Sequence, residues 1–204
     1  MTKRALILVD IQNDFCPGGA LAVKNGDEVV APANVLAEQF VTRGDIVVAT
    51  QDAHPKDHKS FASQHEGAEI GQVIKLDGLD QVLWPDHCVE GTHGAEFHPQ
   101  LDTSLIMKVF KKGTDTEVDS YSGFYDNGHK HDTGLAAYLH EQGIKEVWVC
   151  GLATDYCVKA TACDAVAEGF ETTVYSAACR AVELQPGDEK RAHEEMEAAG
   201  CIIV

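Results

Sequence analysis

Basic residues are scarce in this chain. Its 204 residues include 16 lysines and arginines against 33 aspartates and glutamates, which gives a formal net charge of −17 with neutral histidines. Nucleic acids and anionic lipid surfaces are bound largely through clustered lysine and arginine, and the sequence contains no basic stripe of that kind. We therefore predict neither a nucleic-acid partner nor a membrane partner.

Long apolar runs are also missing, and the cysteines lack the spacing of a disulfide framework. No stretch approaches the roughly 20 apolar residues that span a bilayer. The first apolar run is interrupted by Asp10, too early for the hydrophobic region of a signal peptide. Seven cysteines without a C-x-x-C pair are typical of reduced thiols. These features predict a cytoplasmic protein.

The composition that is present is that of a globular protein, with 44% hydrophobic and 24% charged residues, and the length fits one domain over residues 1–204. Short apolar segments that suit buried strands alternate with helical patterns, each closed by a glycine. The predicted strands are Ala5–Val9, Ile46–Thr50, Leu105–Phe110, Glu146–Cys150, Glu171–Tyr175 and Cys201–Val204, and the predicted helices are Ala31–Thr42, Asp132–Gln142, Asp155–Glu168 and Asp188–Ala199. The alternation predicts an α/β fold, a three-layer sandwich with a central, mostly parallel sheet of about six strands and helices on both faces.

Polar residues come just past several predicted strands. They are Asp10, Asp52, Lys112 and the segment Gly151–Cys157. Ligands of open α/β sheets bind outside the carboxyl ends of the strands, so we expect these positions to meet at one edge of the sheet. The long irregular stretch over residues 51–104 supports a functional site there, because compact domains rarely contain such loops without one.

Cys157 lies where a strand leads into a helix. Thr154 is the expected N-cap, and a thiolate in the first turn gains roughly 0.3–1 kcal/mol from the helix dipole. The backbone N–H groups of Ala153 and Cys157 are placed to form an oxyanion hole. An ordinary buried cysteine on an amphipathic helix is the alternative at this point.

Asp10 and Lys112 are the candidate base and the candidate cation for the Cys157 thiol. A carboxylate can take the thiol proton, and an ammonium can stabilise the thiolate or hold the carboxylate. Strand alternation sends the neighbouring Lys111 to the opposite face. Taken singly, an aspartate at a strand end is most often a loop cap and a lysine there a surface charge, so the hypothesis rests on the three residues together.

A second group of residues has the chemistry of a metal site. Asp52 and His54 lie on the same side of an extended segment, and His58 and His87 follow in the same long loop. Two imidazoles with one carboxylate suit Zn²⁺, Fe²⁺ or Mn²⁺ bound with water. Surface or hydrogen-bonded histidines are the alternative, and we assign the other histidines of the chain to that class.

Three aromatic residues, Phe15, Trp84 and Tyr121, lie in loops near these segments. Aromatic rings in such loops either sandwich a flat substrate or pack as part of a hydrophobic lid. The residues alone leave both interpretations open.

Five sequence segments, considered together in their order and spacing, form one pattern. They are VDIQNDFCPGG (9–19), QDAHPKDH (51–58), WPDHCVEGTHGAEFHP (84–99), VFKKGTDTEVDSYSGF (109–124) and GLATDYCV (151–158). Jointly they resemble the bacterial nicotinamidases, cysteine hydrolases of the isochorismatase-like superfamily, over essentially the whole chain. The resemblance implies hydrolysis of nicotinamide to nicotinate and ammonia in NAD salvage, through a cysteine thioester, with pyrazinamide as a further substrate.

The resemblance also assigns residues to roles. It implies a triad of Asp10, Lys112 and Cys157, in which Lys112 is chosen because the family's lysine directly precedes a glycine, here Gly113. The family's cis peptide falls on Leu152–Ala153. The oxyanion hole is then formed by Ala153 and Cys157, and the substrate pocket by Phe15, Trp84, Tyr121, Leu152 and Ala153.

One divalent metal ion is implied as well, zinc first and iron or manganese otherwise. Its ligands are Asp52, His54 and His87. His58 matches a position that is a ligand in some members only, and its spacing from His54 is shorter than in some relatives.

Three other functions fit parts of the pattern. Carbamoyl amidases and isochorismatases share the scaffold, a metal-centred hydrolase or oxygenase would leave Cys157 inert, and a non-catalytic binding module would retain only the pocket. The Asp-x-His pair, the distant histidine and Trp84 favour a pyridine amide, because a carbamoyl compound has no ring nitrogen for a metal to hold. The sequence leaves homo-oligomer formation open.

Overall fold

A parallel sheet of six strands forms the centre of the structure, a computed structural model that describes residues 3–204. Residues 1 and 2 of the predicted domain lie outside the described residues. The strands are β1 (Arg4–Val9), β2 (Ile46–Asp52), β3 (Val73–Leu76), β4 (Leu79–Val82), β5 (Lys108–Lys112), β6 (Glu146–Leu152), β7 (Glu171–Arg180) and β8 (Ile202–Ile203). The central sheet has the order β5–β2–β1–β6–β7–β8, while β3 and β4 pair as a separate antiparallel hairpin.

Helices cover the sheet and complete the predicted three-layer α/β fold. They are α1 (Val30–Thr42), α2 (Leu135–Glu141), α3 (Lys159–Ala167) and α4 (Asp188–Ala199). Helix α1 packs on β1, β2, β6 and β7, whereas α3 packs on β6 and β7 and contacts α4, which reaches β8. Within residues 3–204, no helix is both long and apolar enough to cross a membrane.

Several element boundaries differ from the sequence prediction, most of all β7, which continues past Tyr175 to Arg180, and α3, which begins at Lys159 and not at Asp155. Strand β5 begins at Lys108 and not at Leu105, because Leu105 lies in a short 3₁₀ turn whose N-cap is the Asp102 side chain. Helix α2 begins three residues later than predicted, since Gly134 adopts a left-handed conformation and donates its N–H to the Asp132 carboxylate at 2.8 Å.

The β3–β4 hairpin was not predicted. It lies inside the long stretch that the sequence describes as irregular, and Asp77 and Gly78 connect its strands with positive φ angles of 49° and 81°. An Asp-Gly pair with two positive φ values is the preferred two-residue hairpin turn. That pair was the available sequence signal, although the flanking strands are only four residues each.

The strand order places the carboxyl ends of β1 and β6 side by side at the centre of the sheet. From β1 the chain builds the sheet outward in both directions, so the ends of β1 and β6 flank the point where the order reverses, which is where ligands of open α/β sheets bind. Val9 pairs with Gly151 there. Gly151 has a φ of 130°, and a β-carbon at this position would overlap the Val9 carbonyl, so the close approach requires glycine.

Candidate active site

Three polar side chains, from residues at or just past the ends of parallel strands, meet around the Lys112 ammonium. Its Nζ atom lies 2.9 Å from Asp10 Oδ2, 2.5 Å from Asp52 Oδ1 and 3.4 Å from Cys157 Sγ. The same nitrogen donates to the Ser120 carbonyl at 2.8 Å. All four side chains, that of Lys112 included, are buried. The convergence expected from the strand ends is therefore confirmed.

The neighbouring lysine follows the expected alternation along β5. Lys111 is exposed and forms an ion pair with Glu90 at 2.6 Å, whereas Lys112 is 2% exposed. Only Lys112 reaches the interior of the site.

Burial and the buried lysine together set the protonation of this cluster. Burial raises the pKa of Asp10 to about 6, although the Lys112 ammonium opposes the rise. Burial also favours the neutral form of Asp52, but Lys112 and His54 outweigh it and hold the pKa of that carboxyl well below its usual range. Burial raises the pKa of the Cys157 thiol well above its ordinary value, again against Lys112. At neutral pH the resting state is thus a neutral thiol beside an ionised Asp10.

The segment that carries Cys157 departs from a regular helix start. Residues Thr154–Val158 form a π-helical turn ahead of α3, with Val158 N–H donating to the Ala153 carbonyl at 3.1 Å. The prediction of Thr154 as N-cap is wrong, because Ala153 is the last extended residue and occupies that position. The buried Thr154 hydroxyl has no hydrogen-bond partner among the described residues. The Leu152–Ala153 peptide bond is cis, as the resemblance implies.

Three imidazole rings, from His54, His58 and His87, lie next to this cluster. Asp52, His54 and His87 present ligand atoms within 4.8 Å of one another, and all three residues are buried. His54 Nδ1 lies 2.8 Å from the Gly113 carbonyl, and His87 Nδ1 lies 2.8 Å from the Pro85 carbonyl. A carbonyl only accepts, so Nδ1 carries a proton in both rings, and Nε2 is the nitrogen that offers a lone pair to a cation when the ring is neutral.

The fit to a metal ion is further supported by an unsatisfied nitrogen. His54 Nε2 is buried, lies 3.6 Å from Asp52 Oδ2, and makes no hydrogen bond within the part of the chain that the structure describes. Burial, reinforced by His54, lowers the pKa of His87 to about 4, which keeps that ring neutral as a ligand must be. A β-carbon on Gly113 would overlap the His54 ring, which gives the glycine after Lys112 a steric reason.

The hydrogen bonds of His58 define a different tautomer from that of His54 and His87. Its Nδ1 lies 2.7 Å from the Ser60 hydroxyl and also accepts the Ser60 backbone N–H at 3.2 Å, so this nitrogen is an acceptor. The proton is then on Nε2, a buried atom that has no hydrogen-bond partner in residues 3–204. His58 nevertheless groups with His54 and with Asp119, a carboxylate that the sequence prediction did not include.

A cavity opens directly above Cys157 and the imidazoles. Ala153 and Cys157, the predicted oxyanion-hole residues, both line it, and so do Phe15, Trp84 and Tyr121. Leu152 does not line this cavity and lies in the hydrophobic core. The structure therefore does not bring it into the contact with a substrate in the cavity that was predicted. Its part in the site is the cis bond to Ala153.

The cavity wall includes residues that were not predicted. They are Leu21, Asp119, Tyr156 and Val182. Tyr156 packs edge-on against Trp84, with ring centroids 4.9 Å apart. Both Asp119 and Tyr156 stand inside the quoted motifs, but nothing in their spacing distinguishes them from neighbouring polar residues.

The unpredicted hairpin contributes one more buried residue, Gln81. Its Nε2 donates to the Val82 carbonyl at 2.8 Å and to Asp119 Oδ2 at 3.1 Å, and lies 3.2 Å from the Tyr121 hydroxyl. The Trp84 indole donates to the same hydroxyl at 3.3 Å. The hairpin thus ties together the aromatic wall and the Asp119 carboxylate.

Comparison with known proteins agrees with this geometry. The family model described as isochorismatase domain matches residues 4–204. The chain is 51% identical over 203 residues to the nicotinamidase of Escherichia coli (strain K12), which covers 100% of this chain and 95% of that protein. The solved structure of a nicotinamidase/pyrazinamidase from Acinetobacter baumanii has a TM-score of 0.95 at 44% identity, covering 100% of this chain and 96% of that one. The structure of a Pyrococcus horikoshii pyrazinamidase in complex with zinc has a TM-score of 0.81 at 39% identity, with 99% and 98% covered. The chain therefore belongs to the isochorismatase family.

Proposed function

We propose that this protein hydrolyses the amide of nicotinamide to nicotinate and ammonia, in NAD salvage, and that it also accepts pyrazinamide. The observation that carries the proposal is the buried contact of Lys112 with Asp10, Asp52 and Cys157 at the floor of an aromatic-walled cavity. A nucleophile, a base and a cation within contact distance are the parts that acyl transfer requires. The nicotinamidase relatives support the choice of a pyridine carboxamide as substrate.

The resting protonation defines the first half of the reaction. Asp10 takes the Cys157 proton as the sulfur attacks the amide carbon, and the former carbonyl oxygen becomes an anion held by the backbone N–H groups of Ala153 and Cys157. Asp10 then gives that proton to the departing nitrogen, the carbon–nitrogen bond breaks, and ammonia leaves. Lys112 holds the Asp10 carboxylate and stabilises the sulfur while it is negative.

The second half removes the acyl group from sulfur. A water molecule attacks the thioester carbon while Asp10 accepts its proton, which generates a second oxyanion in the same place. Collapse of that intermediate breaks the carbon–sulfur bond, and the thiolate recovers a proton from Asp10. The carboxylic acid that forms loses its remaining proton to solvent and leaves through the cavity as nicotinate. Each oxyanion donor contributes roughly 3–4 kcal/mol to such reactions, more than a helix dipole supplies.

One divalent metal ion completes the site in this proposal, with Asp52, His54 and His87 as its ligands. Zinc is the first candidate, because the donor set is two imidazoles and a carboxylate and because the P. horikoshii relative is a zinc complex. When bound, the ion supplies a fixed Lewis acid for the ring nitrogen of the substrate. Asp119 and His58 lie next to this set and complete its polar surroundings.

We also propose that the protein acts in the cytoplasm as one domain. All seven cysteines are free thiols, as is usual in a reducing compartment. The central sheet takes its strands from residues 4 to 203, so the elements of the whole chain share one core.

Ammonia release from a substrate panel tests the proposed function. We expect rapid release from nicotinamide and pyrazinamide, and little from N-carbamoyl amino acids, because the latter offer no aromatic ring to the cavity. Prior dialysis against a chelator is expected to reduce the rate, and added Zn²⁺ to restore it. Faster turnover of a carbamoyl compound than of nicotinamide would reject the pyridine amide, and a rate indifferent to chelator would reject the metal.

Replacement of a proposed ligand tests the metal site directly. His54→Ala is expected to lower metal affinity by more than about 100-fold, since even residues that only support a ligand cost 10–100-fold. Metal content per chain, measured by elemental analysis after gel filtration, reports the effect. His93→Ala, which alters an exposed histidine, is the matched control and should retain the metal. Stoichiometric metal in His54→Ala would show that the ligand set is wrong.

A further inference from the structure

Thr50 makes a hydrogen bond to the carboxylate of Asp10 inside the core. Its hydroxyl donates to Asp10 Oδ1 at 2.6 Å, and both residues have no exposed surface. Thr50 is on β2, two residues before Asp52, and its side chain therefore points to the same face of the sheet as Asp52. The resemblance and the motifs assign no role to this threonine.

Of the contacts made by the Asp10 carboxylate, the one from the Thr50 hydroxyl has the geometry of a hydrogen bond. Asp10 Oδ2 lies 2.9 Å from the Lys112 ammonium, but that contact is not aligned as a hydrogen bond, and Oδ2 is otherwise buried without a partner within residues 3–204. One carboxylate oxygen of Asp10, one of Asp52 and Cys157 Sγ lie within 4.8 Å of one another. One carboxylate oxygen is thus occupied by Thr50, while the other contacts the Lys112 ammonium, which in turn lies 3.4 Å from Cys157 Sγ.

The backbone of Asp10 adds to the need for an anchor. Its φ is 48°, in the left-handed region that a residue with a side chain seldom occupies. The lysine contact alone leaves the plane of the carboxylate poorly defined, because an ammonium attracts either oxygen from many directions. A hydroxyl fixed on a strand specifies one oxygen and one rotamer.

We propose that Thr50 is the positioning residue for the base of the reaction: it holds Oδ1 of Asp10 so that Oδ2 is the oxygen that receives the Cys157 proton. The inference rests on the proposed function, in which Asp10 moves protons to and from sulfur and the leaving nitrogen. Thr50 itself does not line the substrate cavity. Its effect should therefore fall on the chemical step and not on substrate binding.

The test compares Thr50→Val, which keeps the shape and removes the hydroxyl, with Thr50→Ser, which keeps the hydroxyl. In Thr50→Val we expect kcat to fall roughly 10- to 100-fold, the range of a lost hydrogen bond to a charged group. KM is expected to change less than about twofold, because Thr50 does not line the cavity and the substitution leaves the contacts that bind the substrate unchanged. Thr50→Ser should recover most of the lost kcat.

A second readout does not depend on the substrate. Alkylation of Cys157 by iodoacetamide needs loss of the thiol proton, so its rate, followed by mass spectrometry of the peptide that contains Cys157, should fall in Thr50→Val and recover in Thr50→Ser. Thr172→Val is the matched control, since Thr172 is also a buried strand threonine with a hydrogen bond, to the Phe170 carbonyl. That variant should match the wild type in kcat and alkylation rate.

The outcomes separate this proposal from the proposed function. If wild-type protein releases no ammonia from any panel amide, the function is rejected, and the alkylation rates still decide the role of Thr50. If Thr50→Val folds as judged by circular dichroism and keeps the wild-type kcat and alkylation rate, Thr50 does not position the base. Equal losses in the Val and Ser variants would show a packing effect and would also overturn the proposal.

Discussion

Replacing Cys157 with alanine is expected to abolish ammonia release from nicotinamide, by at least about 10⁴-fold in kcat, as for other nucleophiles whose removal leaves only binding and oxyanion stabilisation. The sulfur is the strongest nucleophile of the cluster once it is deprotonated, since the neighbouring groups are weakly nucleophilic carboxylates and a protonated amine. A coupled ammonia assay under saturating nicotinamide measures the loss. The variant removes little volume, so the cavity and its walls should persist.

Cys163→Ala is the control for this experiment. Cys163 is a half-buried thiol on α3 that packs against the core, outside the cavity lining, and its loss should leave turnover within about twofold of wild type. Cys157→Ala should also keep its metal and still bind nicotinate. Near wild-type turnover in Cys157→Ala would refute the nucleophile, and it would move the chemistry to the metal site.

The sequence predicted the strands at the centre of the sheet well, and for a physical reason. Strands buried on both faces must be apolar throughout, so Ala5–Val9 and Glu146–Cys150 are recognisable without any partner. Their carboxyl ends meet because the strands are parallel, which is why Asp10 and Cys157 were expected to lie together before their contact was known. At the edge of the sheet this rule weakens. Strand β5 is exposed on alternate residues, and its prediction was displaced toward the apolar Leu105.

Contacts made by single hydrogen bonds lay beyond the sequence. Nothing in the composition around Thr50 or Gln81 distinguishes them from other polar strand residues, and their roles arise from partners 40 and 38 residues away. At Thr154 the sequence did carry a signal, the preference for threonine at a helix N-cap, but the tertiary structure overrode it. It has the right residue type for an N-cap, but the π turn makes Ala153 the capping residue. Sequence patterns therefore located the site, and tertiary contacts decided how its groups are held.

The arrangement of charge explains why the site needs a buried cation. Two carboxylates, Asp10 and Asp52, are buried, where an unpaired charge is costly. Lys112 contacts both, and burial alone would lower the pKa of its ammonium, yet the two carboxylates outweigh this and raise that pKa well above its usual range. The lysine therefore stays charged through the reaction. In the proposed mechanism it is a fixed counter-ion, and Asp10, with a pKa of about 6, is the group that exchanges protons.

Lys112→Met is expected to lower kcat by more than about 10³-fold and to lower the free energy of unfolding at pH 8 by about 3–5 kcal/mol, because it leaves buried carboxylates uncompensated. Lys112 holds the pKa of Asp10 down, so its loss raises that pKa further above the value in the unfolded chain. A group whose pKa is raised on folding favours the folded state at low pH, and this contribution is lost as the pH rises through the folded pKa. The deficit relative to wild type should therefore be larger at pH 8 than at pH 5, as measured by urea denaturation.

Lys111→Met is the adjacent control, since it breaks only the exposed pair with Glu90, a type of contact worth about 0–1 kcal/mol. Its kcat and its stability should match wild type at both pH values. A Lys112→Met protein that is as stable as wild type at pH 8 would mean that the two carboxylates are neutralised in another way, either by sharing a proton or by the bound metal. Asp10 would then be protonated or differently paired at rest, and the assignment of Asp10 as the base that takes the Cys157 proton would fail with it.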